Sequence, residues 1–290
     1  MKTATLSDLP LLRHYLTAYP RRLCVYTPGV LMMWRDYLRL AIREENETLT
    51  VRLAYDGGED TYLYPIGRDP EGALLRLFGE AKAEGRALTL FGLDEGERDA
   101  VLARFPDATV TFDRGESDYL YETTSLAAFP GKRYAGQRNH INKLNRLYPN
   151  HTLTPLTAAD RDELFAFLDD FLRTRGERPL LAEEIAMTRE VLDHLEEYGM
   201  VGVVLRVEGR VAAFAAGEVI GDMLAVHIEK ADVRVAGAYQ RIVSGFAAMM
   251  GGTAPYLNRE DDMNDEGLRT SKLSYHPIEI LSKYRVTIPT

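Results

Sequence analysis

Hydrophobic positions along this chain recur with two rhythms, one of period two and one between three and four, and the switches between them predict a mixed α/β protein. Ser7, Asp8 and Pro10 lead into Leu11, Leu12, Tyr15 and Leu16, a helix start followed by an apolar stripe at helical spacing. Thr48 to Asp56 and Thr61 to Ile66 read as strands about a turn at Asp56-Gly57-Gly58, which signals a hairpin. A helix is expected from Pro70 to Gly85, a strand from Leu88 to Leu93, a helix from Glu95 to Phe105, and short strands from Ala108 to Phe112 and Tyr119 to Glu122. Trp34, inside MMWRDYL, and Cys24, inside the apolar run LCVY, are expected in the core.

Further along, Asp160 to Arg175 and Ala182 to Tyr198 read as amphipathic helices, the first with Leu164, Phe165, Leu168, Phe171 and Leu172 toward the core. Met200 to Val207, Arg210 to Ile220 and Met223 to Ile228 form a strand meander broken by turns at Glu208-Gly209 and Gly221-Asp222. A loop from Glu229 to Gly237 enters a helix from Ala238 to Met250, followed by a strand from Pro255 to Leu257 and a last strand near Tyr284 to Ile288. This order matches the N-acetyltransferase-like (GNAT) fold, in which the loop after the fourth strand and the next helix N-terminus hold the donor's phosphates through free N–H groups and the macrodipole. That fold's pyrophosphate signature is Gln or Arg, two residues, Gly, one residue, then Gly or Ala. Arg234 and Gly237 fit it, but Tyr239 stands at the final small position, where a ring crowds a pyrophosphate and counts against acetyl-CoA.

At 290 residues and 46% hydrophobic the chain can bury a sizeable core, and its length suggests two domains of about 150 residues each. The division is expected at 1–128 and 129–290. A net charge of −9 excludes a general nucleic-acid coat, so any anionic partner must meet a local basic patch. One such patch opens the second half: FPGKRYAGQRNHINKLNRLYPN carries Lys132, Arg133, Arg138, Lys143 and Arg146 and no acid between Phe129 and Asn150. Read as a helix, it places Arg138, Asn142 and Arg146 on one stripe, suited to phosphate, and Ile141, Leu144 and Tyr148 on another. With one cysteine and no apolar run of membrane-spanning length, a cytoplasmic protein without an integral membrane span is expected.

The densest chemistry lies at Asn258 to Pro277, NREDDMNDEGLRTSKLSYHP, where acidic, basic, amide and imidazole groups crowd behind an apolar strand. These residues, together with MMWRDY, YLYPIG, GKRYAGQRNHINKLNRLYP and HIEKADVRVAGAYQRI, resemble over nearly the whole chain a bacterial family grouped with the C-terminal domain of phosphatidylglycerol lysyltransferases. The narrower match is Gly267, Leu268, Arg269, Lys272, Tyr275 and Pro277. The resemblance implies a tandem pair of GNAT-like halves, the first degenerate and the second carrying the site. It also implies aminoacyl transfer from a charged tRNA, with no tightly bound cofactor. The acceptor expected is a soluble amine, peptide or protein.

Such transfer needs a base, an oxyanion donor and anchors for the tRNA end and the aminoacyl ammonium. Lys272 is the candidate for the oxyanion or the terminal phosphate, and Arg269, three residues earlier, for a phosphate clamp. Glu229, just past the predicted fourth strand, is placed to hold an ammonium or act as base, and His276 to shuttle a proton. Asn258, Glu260, Asp261 and Tyr275 complete the expected substrate rim, and Arg138, His140, Asn142, Arg146 and Arg234 the phosphate or tRNA contacts. For Lys272 and Arg269 the competing reading is surface cations balancing the neighbouring acids; for Glu229 it is an internal salt bridge. Metal-ligand spacings and a nucleophile elbow are absent from the sequence. Two other functions fit the fold: an acyl-CoA-dependent N-acyltransferase, and a non-catalytic protein that grips RNA or an anionic metabolite.

Overall fold

A computed structural model describes residues 1–54, 58–176 and 180–290. The first part of the chain forms strands β1 (Lys2–Thr3), β2 (Ala41–Glu45), β3 (Thr48–Leu53), β4 (Thr61–Leu63), β5 (Ile66–Gly67), β6 (Leu88–Leu93), β7 (Thr109–Phe112) and β8 (Asp118–Glu122). Its helices are α1 (Leu9–Ala18), α2 (Pro28–Met33), α3 (Pro70–Ala83), α4 (Glu95–Arg104) and α5 (Thr123–Ala128). Then follow α6 (Ala135–Leu147), β9 (Thr152–Pro155), α7 (Arg161–Arg175), α8 (Leu181–Asp193), α9 (Leu195–Tyr198), β10 (Val201–Val207), β11 (Arg210–Ile220) and β12 (Met223–Ala231). The chain ends with α10 (Ala238–Met250), β13 (Tyr256–Asn258), α11 (Glu266–Leu273), β14 (Glu279–Leu281) and β15 (Tyr284–Ile288).

Local chemistry sets the boundaries. Asp69 accepts from the Gly72 N–H at 2.9 Å ahead of Pro70, and an Asp94/Glu97 capping box opens α4. Leu74, Leu77 and Ala81 of α3 then face Leu88 and Leu90 of β6 in one apolar cluster. β3 and β4 pair antiparallel as the hairpin reading requires, while most of its Asp56-Gly57-Gly58 turn lies outside the described residues. Trp34 departs from expectation. α2 buries Leu31, Met32 and Met33 and stops, leaving Trp34 half-buried and edge-on to Tyr37 at 5.7 Å.

Among the described residues there are two sheets, ordered β1-β2-β3-β4-β6-β15-β7 with β5 on β3, and β14-β8-β13-β12-β11-β10-β9. Each contains a short parallel pair. In the first, β4 and β6 match Thr61–Leu63 to Thr89–Phe91; in the second, β12 and β13 match Met223–Ala225 to Tyr256–Asn258. Beyond Ala225, β12 runs on to Ala231 with no β13 partner, so the pair opens into a fork.

The two compact units are residues 1–119 with 260–269 and 280–290, and residues 120–259 with 270–279. A cut at 128/129 therefore does not reproduce this partition. β15, from the end of the chain, lies between β6 and β7 of the first sheet, and β8, from before residue 128, pairs with β13 of the second. Periodicity reports which face of a strand is apolar, not which strand lies beside it.

Candidate functional site

In the second unit, β13 carries Arg259 immediately past its last paired residue, and β12 carries Glu229 beyond its own, so the two side chains meet in the fork. Arg259 donates through Nη2 to Glu229 Oε1 at 2.6 Å and through Nε to Oε2 at 3.2 Å. The guanidinium stands 4.5 Å from the Tyr275 ring centre and 5.8 Å from that of Tyr121. Arg259 is 8% exposed, and its Nη1 has no acceptor. Burial, then the Arg259 cation against it, act on the Tyr275 phenol, with the net result that it is pushed up to about 12.

Lys272 is buried rather than the exposed cation expected, because α11 occupies what reads as loop and turns it inward. Its Nζ donates to the Arg259 carbonyl, and its own carbonyl accepts from the Tyr121 hydroxyl at 2.8 Å. Tyr275 is also buried, and its carbonyl accepts from Tyr134 at 3.0 Å. His276 adopts a left-handed backbone, φ 54°, with Nε2 3.1 Å from the Arg133 carbonyl and its ring edge-on to Tyr134. Asn258, fully buried, is the last paired residue of β13, opposite Leu120 and Ala225. Lys230, which adjoins Glu229 in sequence, pairs instead with Glu184 at 2.5 Å.

Residues 260–269 of the motif fall in the first unit. Glu260, Met263 and Asn264 all have positive φ, so the loop turns sharply and sends Asp261 and Asp262 to different partners. Asp261 lies 3.1 Å from Lys283. Arg269 places its fork on Asp262, at 2.9 and 2.8 Å, so the expected phosphate clamp is already engaged by a carboxylate. That contact, against burial and aided by Tyr119, holds the Asp262 carboxyl at about 2. Glu260 contributes its backbone carbonyl to the Tyr119 N–H at 3.1 Å.

The phosphate candidates divide as well. Arg138 donates to the carbonyls of Phe129 and Gly131, closing the turn into α6 instead of facing outward. His140, Asn142, Lys143 and Arg146 are exposed. Arg234 is held by Asp232, at 2.8 Å, and by Asp170. The loop bends back on itself, the Arg234 N–H meeting Asp232 Oδ1 at 2.9 Å. Gly237, φ 88°, sits so tightly under α6 that a Cβ there would lie 2.3 Å from the His140 carbonyl oxygen.

The first unit's fork is closed differently. The Tyr64 N–H, one residue past β4, donates to the Tyr26 hydroxyl at 3.2 Å, and Val25 lies 2.9 Å from where a Gly92 Cβ would stand. Tyr26 is fully buried, and burial pushes its phenol well up.

Arg259 escaped the sequence reading although the signal was there. It follows Leu257 at strand spacing and so shares the face on which Leu257 is buried.

Two sheets, each with a parallel fork and flanking helices, make this a tandem GNAT-like protein. The chain belongs to the family described as phosphatidylglycerol lysyltransferase, C-terminal, whose model matches residues 17–287. A conserved protein of unknown function from Bacteroides thetaiotaomicron VPI-5482 is 30% identical, with a TM-score of 0.93 over 99% of this chain and 98% of that one. L-PGS from Bacillus licheniformis shares the fold at 14% identity, with a TM-score of 0.67 over 97% and 92%. The uncharacterized protein MYCGA3080 of Mycoplasmoides gallisepticum is 22% identical over 173 residues, 59% of this chain, and the match spans only 56% of that protein's length. Among the described residues no helix is long and apolar enough to cross a membrane.

Proposed function

We propose that this protein transfers an aminoacyl group from a charged tRNA to an amine or hydroxyl acceptor, in the cytoplasm where charged tRNA is available. In that reaction the acceptor's nitrogen or oxygen bonds to the ester carbonyl carbon and the bond to the ribose oxygen breaks. The departing oxygen receives the proton lost by the acceptor. Glu229 at the fork is the base or ammonium anchor of this reading, Lys272 fixes the Arg259 backbone beside it, and no covalent enzyme intermediate is needed.

The observation that carries the proposal is the state of the loop before α10. In an acyl-CoA enzyme of this fold that loop offers N–H groups and positive charge to a pyrophosphate. Here it presents Asp232, faces Asp170, holds its one arginine between them, and lies beneath the α6 backbone. The positive charge lies instead on α6, where Lys143 and Arg146 are exposed in a stretch without acids. Family membership supports the same choice.

The test is a melting-temperature titration with charged tRNA and, separately, acetyl-CoA, since a ligand at about 100 times its Kd adds about 2.7 kcal/mol. Charged tRNA is expected to stabilise the protein, and Lys143→Glu with Arg146→Glu to weaken that binding and flatten its salt dependence. Stabilisation by acetyl-CoA alone would overturn the proposal in favour of an acyl-CoA enzyme.

A further inference from the structure

Arg259 is the most unusual charged group of the second unit. Its Nε and Nη2 are matched to one carboxylate, its backbone carbonyl is taken by Lys272, and its face is stacked on Tyr275. Yet Nη1, buried with the rest, donates to nothing. A buried charged N–H left without an acceptor is more costly than a neutral one. A residue held this firmly by its other groups therefore keeps a donor in reserve at a fixed position. Glu229, whose side chain is 17% exposed, is the member of the pair that solvent reaches.

We infer that Glu229 and Arg259 together recognise the α-amino acyl group itself: Glu229 receives the α-ammonium, and Arg259 Nη1 donates to the acyl carbonyl oxygen three bonds away. This rests on the aminoacyl reading above and specifies the group that the fork selects. An ammonium and a carbonyl oxygen on adjacent carbons are the charge complement of a carboxylate bonded to a guanidinium. An acyl group without the amine leaves Glu229 with only its existing partner and gains nothing at that end. When the acceptor attacks, the carbonyl oxygen gains negative charge, and the Arg259 contact strengthens as the carbon–oxygen double bond opens. On collapse the electron pair leaves with the ribose oxygen, which takes the acceptor's proton, and Arg259 keeps all of its own.

The probes are the common L-amino-acid amides, unreactive counterparts of the ester, each set against the same amide lacking its amine. Binding is read by melting temperature and by titration calorimetry on the full chain. At least one amino-acid amide is expected to bind the wild-type protein, and its desamino counterpart to bind at least about tenfold more weakly. Glu229→Gln keeps a hydrogen bond to Arg259 and is expected to abolish that discrimination. Arg259→Lys keeps the charge without the spare donor and is expected to weaken the amide about tenfold or more. Since Glu229→Gln alters no volume, it decides the matter if Arg259→Lys fails to fold. Amides that bind wild type and both variants equally would overturn the recognition pair and leave the aminoacyl reading standing. Desamino amides binding as well as amino-acid amides, together with stabilisation by acetyl-CoA, would overturn both.

Discussion

Replacing Lys283 by Met tests whether the first unit is organised around a buried charge cluster. Lys283 is 3% exposed, and its Nζ lies 2.6 Å from Asp118, 3.1 Å from Asp261 and 3.3 Å from the Cys24 sulfur. Asp118, fully buried, also accepts from the Cys24 N–H at 2.7 Å and from its thiol at 3.0 Å. Burial, then Asp118, raise that thiol well above its ordinary value, so Cys24 is a neutral donor here and not a nucleophile. Burial opposes the Lys283 charge, but Asp118, Cys24 and Asp261 outweigh it and raise the lysine well above its ordinary value. Methionine fills most of the same volume and removes the charge, leaving the buried Asp118 without its lysine partner. Breaking a buried pair on one side costs about 3–5 kcal/mol. At about 2–4 °C per kcal/mol, the melting temperature should fall by roughly 10 °C in circular dichroism at neutral pH. Adding Asp118→Asn should recover part of the loss. A Lys283→Met protein melting within about 2 °C of wild type would refute the argument, because a charge pair buried this deeply cannot be removed on one side at so little cost.

Three further outcomes are expected. Asp262 has its carboxyl lowered from 3.8 to about 2, so its contribution is complete above about pH 4 and disappears as pH falls toward 2. Urea unfolding should show Asp262→Asn less stable by about 2–3 kcal/mol at pH 5, with the gap closing near pH 2; a gap independent of pH would contradict this. Gly237→Ala adds a Cβ 2.3 Å from the His140 carbonyl at φ 88°, and should lower the melting temperature by several degrees as α6 is displaced. An unchanged melting temperature would mean that α6 does not cover the loop. Lys272→Ala leaves the Arg259 carbonyl without its donor, so both transfer activity and stability should fall, the latter by about 1–3 kcal/mol; full stability would return Lys272 to the surface role.

Elements whose apolar period is strong were legible in the sequence: α10 and β15 have the expected bounds, and the β10–β12 meander appears in order. The fork chemistry was less so. Glu229 reads equally as a catalytic carboxylate or half of a salt bridge, and its partner, Arg259, lies thirty positions away among acids that look like its natural counterions. Pairing across a sheet depends on register, which strand periodicity leaves open. The same holds for Asp261 and Asp262, adjacent in sequence but turned to different cations by left-handed backbone at Glu260, Met263 and Asn264. α11 was hidden because its sequence, EGLRTSKL, is polar on most sides and buries chiefly Lys272.

The contrast between the two forks bears on which half works. Both GNAT-like sheets contain a parallel pair that diverges, and in each the gap is filled from within the unit. In the first, the Tyr26 hydroxyl caps the backbone, Val25 packs against Gly92, and Arg21, held by Glu97 at 2.6 Å, stands 4.1 Å from the Tyr26 ring centre. In the second, the filling is an ion pair with a vacant donor and a partly exposed carboxylate. A ligand that brings its own ammonium and carbonyl adds charge-assisted contacts at Glu229 and at Arg259 Nη1 while the pair stays joined, which offsets the desolvation of both. The buried spare donor beside a partly exposed carboxylate, more than the polarity of residues 258–277, favours placing the proposed transfer in the second unit.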